Sequence, residues 1–273
     1  MGWEYMWIEY MGIFLIVSAA LCAVGFKKYV YFLSIGYGFS VAGLGVAYLV
    51  TALTQHWSVS WVVAVQCLLF VAYGARLSGF LLYREIKNAS YRKVLQEASG
   101  EKDKPMPFFV KCSIWVVVSV LYIMQTSPVF FRVYNGEGAE LALPLAGAVL
   151  SAVGLILEAL SDKQKSAQKA KRPDMVATEG LFKMVRCPNY FGEILFWTGV
   201  FVGGVSGLAG AGQWIVAVIG YIAIVYIMIN GAQRLDRRQE KSNGSKPEYR
   251  AYADHTPLII PLIPISHIGK YKE

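Results

Sequence analysis

Charge is what this sequence has least of. Asp, Glu, Lys and Arg make up 16% of its 273 residues, against about 25% in an average soluble domain. Cysteine and histidine are also thin. Cys22, Cys67, Cys112 and Cys187 show neither metal-ligand spacing nor a disulfide framework, and His56, His255 and His267 lie far apart, so metal catalysis is not expected. No G-x-G-x-x-G follows a strand and no P-loop occurs, which excludes both soluble nucleotide-binding folds. A charged start, short apolar core and small-residue cleavage site never come in the order of a removable signal peptide. The first apolar segment is therefore expected to stay and to act as the insertion signal. There is no internal repeat or low-complexity tract.

What is present is apolar: 56% hydrophobic residues and a mean hydropathy of +0.44, blocked into long runs. A spanning helix needs about 20 such residues, and seven segments qualify: 7–26, 31–53, 59–83, 108–131, 141–160, 189–208 and 213–232. The expected fold is an all-α, multi-pass transmembrane bundle forming one domain over 1–273. Basic residues sort to one side. Lys27 and Lys28 follow the first span, and Arg84, Lys87, Arg92, Lys93, Lys102 and Lys104 follow the third. Seven more, from Lys163 to Arg186, lie between the fifth and sixth, and another six, from Arg234 to Arg250, follow the seventh. The alternate loops are nearly free of bases; 132–140 sets Arg132 against Glu137 and Glu140. The positive-inside rule then predicts an outside N-terminus and a cytoplasmic C-terminus, in the inner membrane if the source is bacterial. The net charge of +8 is met by anionic lipid and calls for no nucleic-acid partner.

Two polar stretches break the pattern. The loop 84–107, closing on Pro105 and Pro107, suggests a helix leaving the membrane and then a break. The tail TPLIIPLIP (256–264) cannot form a regular helix and is expected to pack back on the protein or lie at the interface.

The stretch GLFKMVRCPNYFGE (180–193) carries the most chemistry. Pro188 suits a first helical turn; Asn189 and Glu193, four apart, then share a face. A carboxylate at membrane depth costs about 2.5–3.5 kcal/mol at a helix centre, so it needs a partner or a function. Three further clusters fall at helical spacing on the same side of the membrane. These are Glu158, Ser161, Asp162 and Lys165; Asn230, Arg234, Arg237 and Arg238; and Tyr73, Arg76 and Arg84. Each has a plainer explanation. The arginines near helix ends can snorkel to headgroups, Asp162 can pair with Lys165 across one turn, and Tyr73, Tyr249 and Tyr252 can be interface aromatics. Converging in one cavity, the clusters would suit a phosphorylated, hydroxyl-rich cofactor, arginine meeting phosphate and carboxylate meeting ribose or amide. Apolar helix walls would suit a lipid substrate entering from the bilayer.

Three motifs point to a family. L-E-x-x-S-D-x-Q-K (157–165), G-L-F-x-x-x-R-x-P-N-Y-x-G-E (180–193) with Trp197, and Y-x-x-Y-x-x-x-T-P-x-I-x-P (249–261) resemble the C-terminal domain of the steroid 5α-reductase superfamily, in particular its bacterial membrane branch. A-Y-G-A-R-L-S-G (72–79) adds a weaker match. The resemblance implies a seven-helix enzyme that binds NADPH facing the cytoplasm. It would reduce a carbon–carbon double bond conjugated to a carbonyl in a steroid or other lipid, with 155–264 as the cofactor-binding part. It places Glu158, Asp162, Arg186, Asn189, Glu193, Arg234 and Asp236 at the cofactor. Tyr73 becomes the proton donor, and Arg76 and Tyr190 line the substrate site. A donor is needed because hydride addition to the β-carbon leaves an enolate oxygen.

Two departures separate this chain from the steroid enzymes themselves. Their tyrosine pairs with a glutamate in an earlier helix, whereas the second span here has no carboxylate. Their histidine-rich cluster after the last helix is replaced by QRLDRRQE (233–240). The Cys-Pro-Asn-Tyr order is shared with enoyl-thioester reductases of the superfamily, leaving a fatty enoyl substrate open. Two other readings compete: an S-adenosylmethionine-dependent methyltransferase of the isoprenylcysteine carboxyl type, and a non-enzymatic lipid-binding protein. Asn189 before Tyr190 and Glu193 after Gly192 favour the reductase.

Overall fold

The computed structural model describes residues 6–98, 106–136 and 140–261. Among them the regular structure is entirely helical, as expected. The helices are α1 (Met6–Cys22), α2 (Ile35–Thr54), α3 (Trp61–Lys87), α4 (Ala89–Ala98), α5 (Phe108–Asn135), α6 (Ala142–Lys171), α7 (Pro188–Val205), α8 (Gly210–Asn243) and α9 (Pro247–His255). Six segments are long and apolar enough to cross a membrane: α1 extended to Phe26, α2, α3, α5, α6 and α8. This is a multi-pass membrane protein. The seventh expected span, 189–208, forms as α7 but is not among the six. Its 18 residues, about 27 Å long, open with Pro188, Asn189, Tyr190 and Glu193, which lower its hydropathy.

Boundaries differ from the hydropathy reading where polar turns are helical. Residues 29–33 form a 3-10 turn ahead of α2. α5 runs on to Asn135, so Arg132 is a buried helical residue and not a loop charge. α6 and α8 extend well past their apolar segments. Glu137, Lys102, Lys104, His267 and 262–264 of the apolar tail lie outside the described residues.

The chain divides into two compact units, Met1–Val149 with Gly199–Tyr221, and Leu150–Thr198 with Ile222–Glu273. In the first, α2 lies closely on α3 because small residues face each other. A Cβ on Gly74 would come 2.0 Å from the Gly38 carbonyl oxygen, and Ser78 Oγ donates to the Ile35 carbonyl at 2.8 Å. Such small-residue crossings drive association where lipid removes the usual hydrophobic gain. In the same unit Phe14 meets both Tyr48 and Phe130 edge to face, and Tyr48 lies tilted against Phe130.

Its polar ends are tied internally. Arg132 donates to Ser206 Oγ at 2.5 Å and to the Glu140 carbonyl at 2.6 Å, and Ser206 Oγ donates to the Glu140 carboxylate at 3.0 Å. The other Glu140 oxygen accepts the Leu143 N–H at 2.8 Å, satisfying a free donor in the first turn of α6. At the far end of α3, Glu85 accepts from Lys28 at 2.8 Å and from the Tyr31 hydroxyl at 2.6 Å. That bond holds the Lys28 ammonium above its ordinary pKa. Arg92 of α4 donates to the Glu85 and Ile86 carbonyls at 3.1 and 2.7 Å, capping α3.

Candidate functional site

The second unit is assembled around the segment that leads into α7. Two glutamines of α6 hold its approach. Gln168 accepts the N–H groups of Thr178 and Glu179 at 2.8 and 3.0 Å, and Gln164 accepts that of Leu181 at 2.9 Å. Gly180 adopts φ +65, a left-handed conformation that suits glycine. Gln164 is the glutamine of the first motif, whereas Gln168, one turn on, did not stand out in the sequence.

Arg186 sits at the centre. It is buried and forms a two-pronged ion pair with Asp236 of α8: one guanidinium nitrogen contacts Oδ1, the other reaches Oδ2 at 3.3 Å. Its Nε donates to the Thr256 carbonyl at 3.1 Å. Backbone bonds extend the contact, Arg186 N–H to Pro257 O at 2.8 Å and Cys187 N–H to Leu258 O at 2.9 Å. The proline-punctuated tail, unable to form a helix, binds instead as a bent, non-helical strap through its carbonyls. Leu258 and Ile259 bury themselves with Cys187 and Ala232, so the tail packs back on the protein as far as it is described.

Tyr249 and Tyr252 are not interface anchors. Tyr249 is fully buried on α9 with Met175, Val176 and Ala253, and Tyr252 donates to the Phe182 carbonyl at 2.7 Å. Burial raises both phenols above their ordinary pKa, more than Arg186 lowers them. Burial likewise pushes the Cys187 thiol up to about 12, leaving it protonated and a poor nucleophile at neutral pH.

Along α6 and α7 the packing is again set by glycine. A Cβ on Gly154 would lie 2.5 Å from the Gly192 carbonyl oxygen, and one on Gly192 would lie 3.0 Å from Glu158 Cγ. This close approach places the buried Glu158 beside the α7 turn that bears Asn189 and Glu193. Asp162, Asn189, Tyr190 and Glu193 are half-buried, whereas Arg234, Arg237 and Arg238 are exposed on α8. The Tyr190 ring lies against Gly231 of α8, and both Glu193 and Arg234 are within electrostatic range of its phenol. Asn230 turns back on its own helix, donating to the Tyr226 carbonyl at 2.8 Å.

The sequence-predicted residues thus fall into two sets. Glu158, Asp162, Arg186, Asn189, Tyr190, Glu193, Arg234 and Asp236 belong to the second unit, and Tyr73 and Arg76 to the first. Tyr73 is fully buried on α3, edge to face with Tyr37 of α2 at 5.7 Å, and Tyr37 stacks on Tyr122 of α5 at 4.7 Å. Arg76, one turn on, is half-buried. Among the described residues there is no group of three or more His, Cys, Asp or Glu able to hold a metal ion.

Residues 33–256 match the model of a family described as "Protein of unknown function (DUF1295)". The chain belongs to this family. The match takes in α2 to α9, the first two motifs whole and the third as far as Thr256, so it draws on residues of both units. No curated protein and no solved structure matches the chain.

Proposed function

We propose that this DUF1295 protein is an NADPH-dependent membrane reductase of the steroid 5α-reductase superfamily. It would act on a carbon–carbon double bond conjugated to a carbonyl in a steroid or other lipid drawn from the bilayer. The observation that carries this reading is the convergence of the three motifs. Arg186 of the second motif is fastened to Thr256 and Pro257 of the third, and Gly192 of the second abuts Glu158 of the first. Segments about 100 residues apart in sequence build one body around the turn that bears Asn189 and Glu193.

The donors present suit a nicotinamide dinucleotide. Asp162, Asn189 and Glu193 are half-buried groups able to receive ribose hydroxyls and the carboxamide, and the exposed Arg234, Arg237 and Arg238 offer cations to phosphates. Arg186 and Asp236, satisfied by each other, frame this surface and hold its shape. The cofactor supplies hydride. Tyr73 supplies the proton from a phenol kept out of water, and Arg76 and Tyr190 contact substrate. The orientation read from charge puts the cofactor-binding surface in the cytoplasm, where NADPH is available.

The deciding experiment is a binding screen on detergent-purified protein with NADPH, NADH and S-adenosylmethionine. Micromolar or tighter NADPH binding with quenched cofactor fluorescence is expected. Binding of S-adenosylmethionine alone would replace this reading with the methyltransferase.

A further inference from the structure

The first unit contains two buried glutamines with amide atoms that no described residue satisfies. Gln66 of α3 and Gln125 of α5 are 1% and 3% exposed. Gln66 Nε2 donates to the Gly199 carbonyl at 3.3 Å, but its Oε1 has no hydrogen-bond partner among the described residues. Gln125 has none for either Oε1 or Nε2. Both lie within apolar helices that qualify as membrane spans, where water is scarce and an unmet amide is costly.

The two residues stand at one level. Tyr48 of α2 hydrogen-bonds Thr126, next to Gln125, at 2.7 Å. One turn before Tyr48, a Cβ on Gly45 would touch the carbonyl of Cys67, next to Gln66. Consecutive α7 glycines give a second tie: Gly203 makes room for the Gln66 amide, and Gly204 abuts Pro128, three residues after Gln125. On α3, Gln66 is seven residues before Tyr73 and on the same face, about 10 Å away along the axis.

We infer that Gln66 and Gln125 recognise a hydroxyl group on a lipid that enters the first unit from the bilayer. The unmet atoms select the chemistry. Two amide oxygens need a donor and one amide nitrogen needs an acceptor. A hydroxyl can accept from the Gln125 nitrogen and donate its one proton to one of the two oxygens, whereas a ketone or ether oxygen can only accept. The outer face of α3 at this level is apolar, with Val65 and Leu68 exposed on it, so a molecule arriving from that side must itself be largely hydrocarbon. This recognition needs no cofactor and stands apart from the reductase reading.

The test is photolabelling of the full-length protein in vesicles with a diazirine-bearing long-chain fatty alcohol, compared with the same chain as a methyl ether and as a hydrocarbon. The alcohol is expected to label α3 and α5 peptides about fivefold or more above both controls, with the excess removed by unlabelled alcohol. Gln66→Leu with Gln125→Leu should bring alcohol labelling down to the hydrocarbon level. Equal labelling by all three probes in the native protein would overturn the proposal, whatever the variant does. So would undiminished alcohol labelling in a folded variant, since the amides would then be answered by trapped water or by nothing.

Discussion

Arg186 is buried in an ion pair with Asp236 and tied to the Thr256 carbonyl, which makes it an anchor of the second unit. A buried ion pair gains little over a well-packed apolar one, yet removing one partner strands a charge and costs about 3–5 kcal/mol. Arg186→Met is therefore expected to lower the thermal midpoint sharply, and Arg186→Met with Asp236→Leu to recover much of the loss; calorimetry or a thermal-shift assay on the four proteins reads this directly. Asn189→Ala and Glu193→Gln belong to the half-buried face. Each should weaken NADPH binding on the order of tenfold while leaving the thermal midpoint nearly unchanged, and unaltered affinity would remove them from the cofactor. Tyr73→Phe should cut turnover by about 10²–10⁴ with NADPH affinity intact.

Among the elements, glycine contacts and exposed ties set the tolerances. Gly154→Ala inserts a methyl group where the Gly192 carbonyl oxygen would be 2.5 Å away. α6 and α7 must part, at a cost of about 1–3 kcal/mol, and cofactor affinity should fall with stability because Glu158 and the Asn189–Glu193 turn separate. α9 is pinned differently. Arg172 grips Glu248 at 2.7 and 2.9 Å in the open, and that bond holds the Glu248 carboxyl below its ordinary 4.5. The sign follows: a depressed carboxylate contributes above the unfolded pKa and loses its contribution as pH falls through the folded one. Protection of the α9 amides, measured against their intrinsic exchange rates at each pH, should be high near neutrality and fall below about pH 4.5, with Glu248→Gln removing the pH step.

These elements were unequally legible. Long apolar runs announce themselves, so the six spans could be read from hydropathy to within a few residues at most ends. Arg132 was misplaced because a charge ordinarily ends an apolar helix; here Ser206 and the Glu140 carbonyl let α5 continue around it. Glu85 is the one acid in α3, and that oddity could have flagged it, but its partners Lys28 and Tyr31 lie more than 50 positions away. The glycine pairs were invisible, since a glycine's partner is a property of the crossing and not of local sequence. In the candidate site, the motif spacing grouped Arg186, Asn189 and Glu193; that Arg186 turns inward while the other two stay half-buried depends on Asp236 and a tail 70 residues away.

At the scale of the whole molecule, charge counting predicts that residues 84–107 and the C-terminal region face the cytoplasm. Single cysteines introduced at Lys246 and at His56, probed with a membrane-impermeant maleimide on intact cells, should label only at position 56; the reverse pattern would invert the topology. The native Cys187 should stay unlabelled even in opened membranes.

The strap formed by Thr256 to Ile259 also orders events in time. It follows the six spans found among the described residues, yet the Arg186 and Cys187 backbones bond to it. The early helices α1 to α3 can pair as they leave the translocon, because Gly38, Gly74 and Ser78 are already in place. The second unit must wait until synthesis has passed the last span. In a cell, then, a ribosome stalled or a message cut just short of this strap would leave a protein that is inserted, correctly oriented and half-assembled. Such a protein would be a natural substrate for membrane quality control.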